Sequence, residues 1–133
     1  MVHEMRRVVA VPGGEVRALL AVQVRYPAGH HHLWFVAGDG DLGWELYPKG
    51  IYNILKELHQ YRLPIYITEN GLADAFDDQR LEFIRDHLLW VHRAIEEGVD
   101  VRGYLVWSLM DNFEWAWGYR ERFGIVHVDY ATG

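Results

Sequence analysis

The run Pro64-Ile65-Tyr66-Ile67-Thr68-Glu69-Asn70-Gly71 decides the fold. Ile65 to Thr68 is short, apolar, β-branched and aromatic, the composition of a strand buried on both faces, and Asn70-Gly71 is a strong turn signal. Glu69 therefore stands where a buried strand stops. An unpaired buried carboxylate is costly, whereas α/β barrels carry their chemistry at the C-terminal ends of their strands. The position reads as functional rather than as a satisfied structural glutamate.

On both sides of this strand the periodicity is helical. Upstream, Tyr47-Pro48 opens a helix in whose first turn proline is tolerated, and Ile51, Ile54, Leu55 and Leu58 recur at helical spacing to about Tyr61. Downstream, a helix is predicted from Gln79 to Glu97, with Leu81, Ile84, Leu88, Val91 and Ile95 on its apolar face, Arg80, Arg85, Arg93 and Glu96 mostly off it, and Gly98 as its stop. Val101 to Ser108 is a second apolar strand. Helix, strand, helix, strand with short connections is the pattern of βα units on a parallel sheet. Two strands joined by one crossover helix are parallel neighbours about 4.8 Å apart, so Glu69 and Trp107-Ser108 are expected to meet at one sheet edge.

The rest of the chain sets limits. A hydrophobic fraction of 50% over 133 residues supplies a core, and a net charge of -6 without any Lys/Arg run argues against a nucleic-acid surface. The chain has no cysteine, hence no disulfide framework or thiolate metal site, and no apolar run suited to a signal peptide or membrane span, which fits a cytoplasmic protein. Residues 1–37 are poorly patterned, with weak alternation suggesting two short strands around Pro12-Gly13-Gly14; residues 38–133 form the patterned body. His30-His31-His32 reads as a solvated loop, because consecutive histidines do not converge as ligands do. Asp74, Asp77 and Asp78, just before the second helix, read as first-turn charges rather than a calcium loop. Neither a metal nor a cofactor is expected.

After the second strand comes Leu109-Met110-Asp111-Asn112-Phe113-Glu114-Trp115-Ala116-Trp117-Gly118, two acids and an amide among aromatics. Beside a strand-end carboxylate this suits a sugar pocket, in which ring faces stack on C–H surfaces while carboxylates and amides take hydroxyls. The alternative is that the aromatics only plug the end of the sheet.

Three ordered motifs, I-T-E-N-G at 67–71, W-S-L-M-D-N-F-E-W at 107–115 and R-F-G-I-V-H-V-D-Y at 122–130, resemble the C-terminal part of family 1 glycoside hydrolases, the retaining β-glucosidases and β-galactosidases. The likeness continues through L-G-W-E-L-Y-P-K-G-I-Y at 42–52 and R-L-E-F-I-x-x-H-L at 80–88, and V-D-V-R-G-Y-L at 99–105 is similar to archaeal members. The resemblance implies an α/β fold, a partial (β/α)8 TIM barrel comprising roughly its last two or three βα units. By motif position it implies that Glu69 is the catalytic nucleophile, Trp107 an aromatic platform under the sugar, Glu114 and Trp115 readers of its distal hydroxyls, and Phe123 a pocket wall. It makes Asn70, Asp111 and Asn112 structural.

The departures shape the functional expectation. The family's general acid/base lies in an Asn-Glu-Pro motif, but the four prolines here follow Val11, Tyr26, Tyr47 and Leu63. Val2-His3-Glu4-Met5-Arg6-Arg7 matches only the ends of the family's V-N-Y-Y-T-R segment, and the chain ends at Gly133, ahead of the family's last helix. The expectation is a catalytically incomplete glycosidase fragment, inactive alone, whose β-glycoside or oligosaccharide substrate is met only when a separate chain completes the barrel. The alternatives are a non-catalytic carbohydrate-binding remnant and a degenerate reading frame without function.

Overall fold

The computed structural model of the chain describes the backbone of residues 9–10 and 16–21 and all atoms of residues 41–42 and 46–132. The segment from Val2 to Arg7 and the histidines 30–32 lie outside the described residues. One sheet runs in the order β1 (Val9–Ala10), β2 (Val16–Ala21), β3 (Ile65–Asn70), β4 (Val101–Val106). β1 is antiparallel to β2, and β2, β3 and β4 are mutually parallel. The weak alternation near the N-terminus thus corresponds to β1 and β2, and the β3–β4 pair is parallel across a single helix as the sequence indicates.

Two helices cover one face of the sheet. In α1 (Lys49–Leu58), Ile51, Ile54, Leu55 and Leu58 are all buried, as their spacing predicts. Each such side chain contributes about 1.5–3 kcal/mol on burial. Pro48 stands at the N-cap with φ already helical at -57°. A 3-10 turn, His59–Tyr61, and a left-handed Arg62 (φ 54°) end the helix. α2 (Arg80–Glu96) stops as expected at Gly98, whose φ of 90° suits a residue without Cβ and whose amide donates to Ile95 O at 2.9 Å.

The buried face of α2 is not the predicted one. Arg80, His87, Val91 and Ala94 are buried, Ile84 is half-buried, and Leu81 (81% exposed), Leu88 (42%) and Ile95 (43%) face solvent. The spacing predicts a single apolar stripe where the helix has two. The stripe through Val91 and Ala94 joins Ile51, Leu55, Ile65 and Ile67 in the core, and the 81/88/95 stripe lies outside it.

β3 also differs from expectation. Ile65 and Ile67 are fully buried against the helices, but Tyr66 and Thr68 on the other face are only half-buried, so the strand is covered on one side among the described residues. Its register slips twice. Ile65 pairs with Val101 while Tyr66 pairs with Gly103, an extra residue on β4. From Ile67 to Asn70 is three steps on β3 against the two from Tyr104 to Val106 on β4, and Ile67 to Glu69 is two steps against the one from Leu20 to Ala21 on β2. β3 therefore carries an extra residue at Thr68–Glu69 relative to both neighbours. Side chains alternate along a strand, so without that residue Glu69 would join Ile65 and Ile67 on the helix side. The bulge turns it away: Glu69 is exposed and Asn70 is buried instead.

Candidate active site

The face away from the helices gathers the candidate residues at the C-terminal end of the parallel strands. Trp107 follows β4, and its amide donates to Asn70 O at 3.0 Å, so the expected meeting of the two strand ends occurs. Gly71 makes that approach possible: a Cβ there would lie 1.7 Å from Trp107 O. The Trp107-Ser108 peptide is cis.

The segment after Trp107 is held by main-chain pairing with the third motif. Ser108 N donates to Phe123 O (3.0 Å), Ile125 N to Ser108 O (2.9 Å), Val126 N to Leu109 O (2.9 Å) and Asp111 N to Val126 O (3.2 Å). The buried Asp111 carboxylate ties this together, accepting from Gly124 N (2.9 Å), Val128 N (3.1 Å) and Arg122 Nη1 (2.9 Å). Burial alone would raise its pKa, but the Val128 and Gly124 amides and the Arg122 guanidinium outweigh that and hold it below the usual carboxylate range. Asn112 donates to Ser108 Oγ at 3.0 Å. Asp111 and Asn112 are therefore placed as frame.

Glu114 is buried, with its backbone N–H donating to Gly118 O at 2.6 Å. Burial is the main cause raising its carboxyl pKa; a hydrogen bond from the Trp107 side chain opposes this, and the charges of Glu69 and Glu121 add to it. Glu114 thus lies within electrostatic reach of Glu69 and within hydrogen-bonding reach of Trp107. Phe123 is 2% exposed, and its carbonyl accepts from Ser108 N. Trp115, in the 3-10 turn Trp115–Trp117, is 78% exposed with φ 45°.

Three residues of this region were not singled out from the sequence. Glu121 is buried and paired with the exposed Arg120 at 2.6 Å. Tyr104 on β4 donates its hydroxyl to Asn70 Oδ1 at 2.6 Å. Arg80 is buried beneath the loop that follows Glu69, donating to Leu72 O (2.7 Å), to Asp74 O and to Arg122 O (3.2 Å). Asp74 accepts from the amides of Gln79 and Arg80, both at 2.9 Å, from ahead of the helix; contrary to the sequence reading, Asp74, Asp77 and Asp78 all precede α2, and the acid in its first turn is Glu82. Among the described residues no group of three or more His, Asp or Glu side chains is disposed to hold a metal ion.

A model of the family described as Glycosyl hydrolase family 1 matches residues 7–133. The chain is 54% identical over 93 residues to a β-galactosidase of Sulfolobus acidocaldarius, a match covering 69% of this chain and 19% of the relative. A β-glycosidase from Pyrococcus horikoshii superposes with a TM-score of 0.71 at 53% identity, over 75% of this chain and 24% of that one. A β-glucosidase from Thermotoga maritima in complex with a methoxycarbonyl-substituted glucoimidazole superposes with a TM-score of 0.70 at 44% identity, over 75% of this chain and 25% of its own. The match to the Sulfolobus acidocaldarius relative spans about a fifth of that protein's length.

Proposed function

We propose that this chain, which belongs to glycosyl hydrolase family 1, supplies the nucleophile-bearing wall of a retaining β-glycosidase site. The observation that carries the proposal is the bulge at Thr68–Glu69, which turns a strand-end carboxylate off the helix-packed face towards Trp107 and Glu114. In this reading the described strands and helices are roughly the last two or three βα units of a (β/α)8 barrel, and Glu69 attacks the anomeric carbon of a β-glycoside. Trp107 underlies the sugar ring, Glu114 and the exposed Trp115 take its distal hydroxyls, and Phe123 backs the pocket. Burial suits Glu114 to reading hydroxyls, since it limits the directions from which a partner can approach.

A retaining mechanism needs a second carboxylate about 5–5.5 Å from the nucleophile to protonate the leaving group. The family supplies it from an Asn-Glu-Pro motif that these 133 residues do not contain. The 133-residue polypeptide by itself is therefore proposed to be inactive on β-glycosides or oligosaccharides, with the acid/base coming from further sequence that completes the barrel. Loss of general acid catalysis alone removes about 10²- to 10⁴-fold.

The test has two arms, both with p-nitrophenyl β-glucoside. The isolated chain is expected to show no turnover that depends on Glu69; steady turnover abolished by Glu69→Gln would overturn the incomplete-site reading. With residues 41–133 grafted into a family barrel, Glu69→Ala is expected to abolish turnover and azide to restore it, because the anomeric centre then has an open face. Labelling of Glu114 rather than Glu69 by a mechanism-based fluoroglycoside would reverse the two assignments.

A further inference from the structure

The bulge that aims Glu69 has a competitor one residue away. Asn70 pairs with Val106, and the register in which Glu69 takes that place differs by a single step of β3. In that register the Glu69 side chain would turn to the helix side, beside Ile65 and Ile67. The main-chain bond from Trp107 N to Asn70 O does not discriminate between the two, because every residue has a carbonyl. A side-chain bond does. Tyr104 packs its ring against the helix-side core and brings its hydroxyl to Asn70 Oδ1 at 2.6 Å. Asn70 is 5% exposed, so its amide finds its partners inside the protein.

We propose that Tyr104 is a positioning residue, whose hydrogen bond to Asn70 locks the Thr68–Glu69 bulge and so holds the Glu69 carboxylate on the Trp107 and Glu114 side of the sheet. The proposal rests on reading Glu69 as the nucleophile. A nucleophile must be held to about 0.5 Å by groups that are themselves fixed, and a ring packed in the core with its hydroxyl on the adjoining residue is such a support. Burial pushes the Tyr104 hydroxyl up to about 12, so it remains a donor across the neutral range. Gly103 opposite Tyr66 completes the arrangement on the other face, where a Cβ would meet the Tyr66 ring at 2.7 Å. Tyr66 and Tyr104 thus occupy opposite faces around the slip.

The test uses the full 133-residue chain and needs no turnover, so it is decided separately from the glycosidase reading. Carboxyl groups are amidated with a water-soluble carbodiimide and an amine, and the labelling of Glu69 is read by mass spectrometry against Glu82 on α2, whose side chain is 70% exposed. Tyr104→Phe keeps the ring and removes the hydroxyl. Its Glu69:Glu82 labelling ratio is expected to fall at least twofold, as the carboxylate spends time on the helix side, and hydrogen exchange of peptides spanning Trp107 is expected to accelerate while peptides within α1 do not change. Asn70→Ala removes the acceptor and leaves Tyr104 intact, and is expected to give the same pattern. An unchanged or increased Glu69 ratio in both variants would overturn the proposal, as would exchange accelerated uniformly through α1 and α2, the mark of a general packing role.

Discussion

Arg80 is the residue whose removal most directly tests how the loop after Glu69 is built. Its guanidinium is buried, with donors to Leu72 O, Asp74 O and Arg122 O and one further bond to Asp77 Oδ1 at 2.7 Å. Arg80→Met preserves the stem and takes a donor from three main-chain carbonyls; Arg122 O and Asp74 O keep the amides of Asp74 (2.9 Å) and Asp77 (3.3 Å), while Leu72 O loses its donor, at about 1–3 kcal/mol if left unsatisfied. The expected loss is about 2–4 kcal/mol, the unsatisfied Leu72 carbonyl plus the lost charge-assisted bonds to the other two. Asp77 is the internal control. Its side chain is 72% exposed, so Asp77→Asn removes only a solvent-screened pair, for which about 0–1 kcal/mol is expected. Both are measured by urea unfolding at one fixed protein concentration, followed by tryptophan fluorescence. If Arg80→Met costs less than about 1 kcal/mol, or no more than Asp77→Asn, then the loop is held by other contacts and the reasoning from buried carbonyls fails.

In the grafted barrel, Glu114→Gln is expected to retain Glu69-dependent chemistry while shifting the preference between glucosides and galactosides; loss of all turnover with an unaltered preference would contradict a hydroxyl-reading role. Burial lowers the His87 pKa against the opposing bond to Phe83 O, so the unfolded chain takes up the proton at higher pH than the folded one. The contribution is therefore complete above the unmodified value of 6.5 and lost as pH falls below it, and a His87→Gln variant is expected to narrow the difference in urea midpoint between about pH 7.5 and about pH 5. A pH dependence identical in both proteins would refute this. The outward stripe Leu81, Leu88, Ile95 and the edge position of β4 predict self-association of the isolated chain, and Leu81→Lys with Leu88→Lys is expected to lower its mass by light scattering. A sharp reversible thermal transition in wild-type chain shown to be monomeric would count against it.

The local grammar was readable from the sequence because its causes are local. The Ile51/Ile54/Leu55/Leu58 spacing, Pro48 at one helix start and Gly98 at the other helix end each depend on a few adjacent residues, and each falls where it should. The parallel β3–β4 pair followed from a single crossover helix. What escaped reading depends on partners distant in the chain. Period-3.6 logic finds an apolar stripe on α2 but cannot tell which of two stripes meets α1 and the sheet. Arg80 looked like surface charge because its carbonyl partners at Leu72 and Arg122 lie eight and forty-two residues away. The bulge is a property of a pair of strands, visible only when Ile67–Asn70 is laid beside Tyr104–Val106. The sequence places Glu69 at the end of a doubly buried strand, yet it is exposed because the strand slips there.

The frame and the candidate chemistry are drawn from the same motifs but use different atoms. Asp111, Gly124 and Arg122 are fixed by main-chain amides and carbonyls between residues 107 and 128, and the Asn70–Trp107 bond joins that unit to the end of β3. The placing of Trp107 and Glu114 thus draws on contacts within residues 65–128, while Glu69 is also paired with Ala21 of β2. Trp115 shows the opposite behaviour. Its ring is open to solvent and its backbone is left-handed, a conformation that costs a bulky side chain energy and persists where surrounding contacts enforce it. Here the enforcing contacts are the tight bonds on either side, Glu114 N to Gly118 O and Gly118 N to Trp115 O. The turn therefore displays its indole to solvent, while the Glu114 carboxylate beside it is withdrawn from water.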